Sequence, residues 1–328
     1  MSRVTALKTV SLVALLMSAS ACGSGGASNG SSKSPIMTVA ITPVSTSVCV
    51  EVTQERGEFK SKGLDVKLTP APPTSAAQIA QVINGQVTVG LGAYTGVVSA
   101  VANNLPVVIT NASDYDFNKG GQTAFSVLVA KDSTITSFKE LEGKTVAVNS
   151  LQGTWELALR QAIEDGGGDP SKVKLTAVSF SDQGTALKSG RVDAILTLQP
   201  LIASLTAEGL KSIGDPFAVV FGKPDSASAV LFMSKKFVTD NASEAKTFVE
   251  TLQEGDKWCN AHPKEMSDAL ARITKIPAAV LAKAPLPDYG AKIDPAETER
   301  WAKLLVKYGV IKEAPATSDV QWSDAPTK

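Results

Sequence analysis

The sequence predicts an α/β protein of two lobes, each a mainly parallel sheet flanked by helices, with a helical C-terminal tail. Three observations predict it. Short apolar runs alternate with helical patterns from Met37 to Thr110, and again from Phe125 to Met233. Such alternation builds parallel sheets with helices on both faces. Loop-like stretches, Asn118-Lys-Gly-Gly121 and Gly222-Lys-Pro-Asp225, separate the two sets, and from Asn241 to Ile311 the pattern is nearly all helical.

The elements follow in order. Met37 to Thr42 is a strand by composition, and Ser47 to Lys62 a helix closed by Gly63. Leu64 to Thr69 alternates apolar and polar, as a half-buried strand does. Thr74 or Ser75 can cap a helix running to Ile83, which Asn84-Gly85 stops. Val87 to Leu91 and Leu105 to Thr110 are strands around a small-residue helix, Thr95 to Asn103. The second set reads as strands at 125–130, 145–149, 173–178, 192–198 and 210–213. Helices fall at 137–141, 153–165, 183–188 and 200–208, and a last strand runs from Ala229 to Met233. The expected organisation is a signal at 1–21, a tether at 22–35, lobe 1 from 36–117 and 226–328, and lobe 2 at 118–225.

Composition narrows the function. Hydrophobic residues make up 43% of the chain, enough for a packed body. Lys and Arg number 32 against 32 Asp and Glu, which gives no basic surface for nucleic acid. His262 is the single histidine, which leaves little room for metal or Ser-His chemistry.

Arg3 and Lys8 precede an apolar stretch, Val10 to Met17, that is too short for a span of roughly twenty residues. Small residues follow, as in a secretory signal. Ala19-Ser20-Ala21-Cys22 resembles a bacterial lipobox, in which Cys22 is lipidated, although Ala19 replaces the usual Leu. The alternative is a cleaved signal with an incidental Cys. Gly23 to Pro35 is rich in Gly and Ser and reads as a flexible tether. With Cys22 lipidated, Cys49 and Cys259 remain in an oxidising setting. They permit one disulfide, the alternative being two buried thiols.

Three stretches carry a family resemblance: AAQIAQVINGQVTVG, FKELEGKTVAVNSLQGT and ALKSGRVDAILTLQP. Their order and spacing resemble the solute-binding lipoproteins of bacterial ABC importers, in the nitrate/sulfonate/taurine-type branch. The resemblance implies a type II periplasmic-binding-protein fold, with ligand between two lobes. It also implies an exported monomer, lipid-anchored to the outer face of the cell membrane, that delivers solute to a permease and its ATPase without a cofactor. Where many members have Trp-Glu-Pro, this chain has Leu198-Gln199-Pro200. That loses a stacking surface and replaces a carboxylate with an uncharged amide.

In open α/β sheets ligands sit beyond the carboxyl ends of strands. The candidates are then Thr42, Pro43 and Ser45; Gly92, Ala93, Tyr94 and Thr95; Asn111 and Ser113; Asn149, Ser150, Leu151, Gln152, Gly153 and Thr154; and Gln199. The run Asn149 to Thr154 joins a strand end, hydroxyls and a helix start, where backbone N–H groups favour a carboxylate, sulfonate or nitrate. Plain helix capping by Ser150 or Thr154 is the competing reading. Tyr94, Tyr115, Phe117, Trp155 and Phe180 are the aromatics near these loops.

No Arg or Lys lies in these strand-end loops, so a small organic anion would be held by neutral donors unless Arg191 or Lys119 reaches in. A neutral heterocyclic vitamin precursor is the alternative ligand. An enzyme on the same fold, or an adhesin or sensor domain, is the alternative class. Asp114 and Asp116 could form a carboxylate pair, but a crossing full of solvated charge is the preferred explanation. Ser150 has no nearby base in sequence.

Overall fold

A computed structural model describes residues 35–328, except 73, 117, 120, 121, 223–225 and 283. The signal, Cys22, most of the tether, Phe117 and parts of both crossings lie outside the described residues. Residues 34–328 make one compact unit.

The first half holds strands β1 (Ile36–Ile41), β2 (Asp65–Pro70), β3 (Val89–Gly92) and β4 (Val107–Tyr115). Between them run helices α1 (Val48–Glu55), α2 (Glu58–Ser61), α3 (Ser75–Ile83) and α4 (Tyr94–Ala102). A hairpin, β5 (Asn118–Lys119) and β6 (Gln122–Thr123), leads to β7 (Phe125–Val129), β8 (Thr145–Val148), β9 (Lys174–Ala177), β10 (Ala194–Leu198) and β11 (Lys211–Gly214). These are interleaved with α5 (Thr154–Asp165), α6 (Phe180–Lys188) and α7 (Leu201–Ala207), and followed by α8 (Pro216–Phe221). The chain returns through β12 (Ala227–Ser234). It ends in α9 (Lys235–Asp240), α10 (Ala242–Ala261), α11 (Pro263–Thr274), α12 (Ala278–Leu281), β13 (Asp288–Tyr289), α13 (Pro295–Lys307) and α14 (Thr317–Val320).

Two sheets result, ordered β13-β4-β12-β3-β1-β2 and β11-β7-β10-β8-β9. Both are mixed. β1 pairs in parallel with β2 and β3, and β8 with β9 and β10, as the alternation predicts. β12 runs antiparallel between β3 and β4, and β7 antiparallel between β10 and β11. These are the strands by which the chain re-enters or first enters a sheet after a crossing, so no crossover helix fixes their direction.

Three local expectations are corrected. The helix expected over 47–62 is two helices, because Gly57 adopts φ 72° and turns the chain. β4 extends to Tyr115, because β12 pairs with it from Ser234 to Ala227. Asn111 and Ser113 therefore lie within a strand and not after one. Asp114 and Asp116 are buried, not solvated.

Each sheet is apolar on both faces. Val97, Val98, Phe232 and Trp301 pack on one side of the first sheet, and Phe59, Leu231 and Phe248 on the other. Val127, Val146 and Leu159 cover one side of the second sheet, and Leu128, Ile195 and Leu205 the other. Such two-sided burial is what near-continuous apolar strands require. Cys49 of α1 and Cys259 of α10 form a disulfide, with Cα atoms 6.0 Å apart.

Candidate functional site

Three helix starts meet at one cavity of about 730 Å³. α3 contributes Thr74, Ser75 and Ala76, α4 contributes Ala93, Thr95 and Gly96, and α5 contributes Gly153, Thr154 and Trp155. The α3 start is closed locally, since Thr74 Oγ1 accepts the Ala77 N–H at 3.2 Å. The starts of α4 and α5 carry no side-chain cap. Their first N–H groups therefore keep their donor capacity and the positive end of the helix dipole.

The two uncapped starts touch. Thr95 Oγ1 and Thr154 Oγ1 lie 2.6 Å apart and share a hydrogen bond, with the residues 2% and 5% exposed. One hydroxyl comes from the helix after β3 in the first sheet, the other from the helix after β8 in the second. Gly96 allows the approach of α3 to α4: a Cβ there would lie 3.1 Å from Ser75 Cβ. The loop before α5 is braced by Glu156, which accepts the Gln152 N–H at 2.7 Å and the Arg160 Nε–H at 2.6 Å.

The remaining lining mixes neutral polar groups, among them Ser99, Asn103, Asn149 and Ser150, with apolar ones such as Ile83, Leu105, Leu151 and Val310. Among the described residues, no Asp, Glu, Lys, Arg or His lines it. Asn149 Oδ1 is buried without a hydrogen-bond partner. Trp155 walls one side, edge-on to Phe125 at 4.9 Å, Phe180 at 5.0 Å and Phe217 at 5.4 Å. Its ring is thus committed to an aromatic cluster that reaches Trp301 through Phe217.

The cavity gathers Ala93, Thr95, Asn149, Ser150, Leu151, Gln152, Gly153 and Thr154 of the sequence candidates. It does not gather the others. Thr42 and Pro43 are exposed. The Ser45 carbonyl accepts from Tyr289 Oη at 3.2 Å, and Ser113 Oγ donates to the Thr46 carbonyl at 2.6 Å, so both serve to fix the turn after β1. Tyr94 is 1% exposed and bonds Thr298 of α13 at 2.6 Å; burial pushes its hydroxyl pKa well up. Adjacent helix positions differ by about 100°, so Thr95 can face the cavity only if Tyr94 turns away.

Gln199 lines a different cavity, of about 430 Å³, with Thr123, Ser126 and Ser212. Its Nε2 donates to the Thr123 carbonyl and its Oε1 accepts the Ala203 N–H, each at 3.3 Å. The amide thereby ties β6 to the start of α7. A glutamate could not donate to that carbonyl. Arg191 lines yet another cavity, beside Lys174 and Asp182. His262 stacks on Trp258 at 4.0 Å, with the Arg56 guanidinium 3.8 Å from the Trp258 ring centre, which is a packing role.

Sequence reading missed Ser99, Asn103, Leu105, Ile83 and Val310. The Thr74-Ser75 cap signal could have pointed to the α3 start. Nothing in the sequence places Val310, more than a hundred residues away, against the loop before α5.

The family model described as NMT1/THI5 like matches residues 46–266. No curated protein sequence matches the chain. Solved structures share the fold at low identity. The periplasmic aliphatic sulphonate binding protein SsuA from Escherichia coli is 15% identical, with TM-score 0.71 over 89% of this chain and 94% of that one. The ligand-binding component of an ABC-type import system from Staphylococcus aureus is 14% identical, with TM-score 0.73 over 88% and 96%. The periplasmic nitrate-binding protein NrtA from Synechocystis PCC 6803 is 13% identical, with TM-score 0.70 over 87% and 83%. The expected periplasmic-binding-protein fold is therefore the fold of this chain.

Proposed function

Because the chain belongs to the NMT1/THI5-like family, we propose that it is the extracytoplasmic solute-binding component of an ABC importer. Its solute is a small organic anion, a sulfonate or carboxylate, taken up between the two sheets and handed to a membrane permease. The observation that carries this reading is the meeting of two uncapped helix starts, with Thr95 and Thr154 bonded across them.

A ligand oxygen entering there exchanges one Thr–Thr bond for two hydroxyl donors and nearby backbone N–H groups. Each helix dipole adds about 0.3–1 kcal/mol for a negative charge. Among the described residues no carboxylate lines the cavity to repel it. Among the described residues the same lining holds no general base, which favours binding over catalysis. A neutral heterocycle is the second reading, favoured by the absence of any cationic side chain among the described residues of that lining.

Because the site takes one wall from each sheet, ligand favours the closed arrangement by its differential affinity. The hinges of this reading fall where the chain crosses between the lobes, partly outside the described residues. Among the described residues no helix is long and apolar enough to cross a membrane. In this reading the chain is exported and held at the membrane by a lipid on Cys22. Cys22→Ser should then release it from the membrane fraction, and unchanged retention refutes the anchor.

Thermal shift over paired sulfonates, carboxylates and neutral heterocycles tests the ligand class, since a ligand bound only by the folded state raises Tm. A response confined to neutral compounds overturns the anion reading.

A further inference from the structure

The cavity of about 430 Å³ on the second sheet shares no lining residue with the one between the helix starts. Its walls come from β6, β7, α7 and β11, with Gln199 after β10. Phe125 and Ser126 are neighbours in β7, so their side chains point to opposite faces of the sheet. Phe125 packs edge-on to Trp155, which walls the first cavity. Ser126 lines the second. The two cavities therefore lie on opposite faces of one sheet.

Further along its own face Ser126 is followed by apolar Leu128, opposite Ile195. At the cavity the same face turns polar. Ser126 and its cross-strand partner Thr197 are 1% and 0% exposed. Ser126 Oγ shares a hydrogen bond of 2.6 Å with Ser212 Oγ, whereas Thr197 Oγ1 is buried with no hydrogen-bond partner. Cross-strand partners stand side by side on one face, so this hydroxyl borders the cavity wall. A buried hydroxyl without a partner is costly, and in folded proteins it marks a place where a guest or a water supplies the bond.

The wall itself is rich in acceptors. Thr123 Oγ1 donates to the Phe125 carbonyl at 2.6 Å, and Thr206 Oγ1 to the Ile202 carbonyl at 2.7 Å. A hydroxyl has one hydrogen, so both offer a guest only their lone pairs. Among the described residues no charged or aromatic side chain lines this cavity. Lone pairs repel an anion, and with no carboxylate in the lining a cation stays uncompensated. The fitting guest donates several hydrogen bonds and carries no charge.

We propose that the second sheet carries a second solute site, for a small neutral polyol. Its hydroxyls donate to Thr123, Thr206 and Ser212, and its carbon skeleton lies along Ile202 and Ala203. All these contacts belong to one sheet, so the polyol binds without favouring closure. The site stands whether or not the first cavity takes an anion.

The test is an amide NMR titration of the full chain with glycerol and xylitol, beside two charged analogues of glycerol, glycerate and serinol. The polyols should give saturable shifts at Thr123, Ser126 and Ser212 and none at Thr95 or Thr154. Xylitol should bind about threefold or more tighter than glycerol, because its added hydroxyls find further acceptors. The variant Thr206→Val/Ser212→Ala alters two exposed side chains and leaves Ser126 the Gly214 carbonyl as a partner, so Tm should not change. It should weaken xylitol about fivefold or more, by loss of two acceptors. Ala207→Leu narrows the cavity without removing a polar group and should weaken xylitol as well.

Shifts that grow without saturation, or that fall at Thr95 and Thr154, overturn the second site. Tighter binding of glycerate or serinol than of glycerol overturns its neutrality, and with it the polyol. Xylitol affinity unchanged in both variants overturns the contacts assigned to this cavity.

Discussion

Replacing Thr154 with Val keeps the volume of the side chain and removes only the hydroxyl. In the free protein that hydroxyl shares one hydrogen bond with Thr95 at 2.6 Å, in a place where both residues are buried. Loss of one partner strands the other, at a cost of about 1–3 kcal/mol. Thr95→Val should cost about the same for the same reason. The double variant removes both polar groups and should be close to neutral, because no orphan remains. The cycle therefore predicts strong non-additivity, with a coupling of about 2–6 kcal/mol, the sum of the two single losses, between residues that are 59 positions apart in sequence. In a folded unit of this size about 2 °C of Tm corresponds to each kcal/mol. Each single variant should then melt about 2–6 °C lower, with the double variant near the parent. Calorimetry on the four proteins measures this directly. Additive losses would refute the contact between the two helix starts, and with it the joint site. If the contact stands, all three variants should bind an anionic solute more weakly, by roughly two- to a hundredfold, since donors to a charge contribute about 0.5–3 kcal/mol each.

Further outcomes follow from particular residues. Mutating Cys49 and Cys259 together to Ala opens a loop of 210 residues and should cost about 5 kcal/mol in the chain-entropy account, read as a lower denaturation midpoint. The denatured, unreduced parent should show neither of these two thiols. Burial pushes the Asp215 carboxyl from 3.8 up to about 7, against the lowering effect of the Phe217 and Ala218 N–H groups. Its contribution to stability is therefore complete below about pH 4 and is lost as pH rises through about 7, by at most about 4 kcal/mol. Asp215→Asn keeps a cap acceptor and should flatten that part of the stability profile; an unchanged slope refutes the burial argument. Gly90→Ala would put a methyl 2.2 Å from the Phe232 ring and should cost at least about 1–3 kcal/mol in chemical denaturation. Lys307→Ala breaks an exposed pair with Glu164 and should cost no more than about 1 kcal/mol, less at high salt.

Much of the fold was legible because its signals are local. Period-two and helical patterns, the Thr74 cap and the stop at Asn84-Gly85 act within a few residues of chain, and α3 falls where they put it. The Asn149 to Thr154 run was likewise readable as a strand end entering a helix, and it does line the cavity. The count of cysteines, with Cys22 set aside, pointed to the pair that the structure joins. These are properties of neighbours in sequence, or of a count.

What only the tertiary structure decided depends on direction and partner. A helical pattern says that one side is buried, not against which element, so Tyr94 went to Thr298 of α13 while Thr95 went to the cavity. Gln199 looked like a ligand group by its place at a strand end, yet its amide is spent holding Thr123 and Ala203. β7 and β12 run antiparallel because crossings of free length, not crossover helices, deliver them. The apolar margin of Leu105, Leu151 and Val310 exists only because three distant segments fold to one place. Sequence carries the period and chemistry of each segment; which surfaces meet is set by packing among segments far apart in the chain, and the site is made of those meetings.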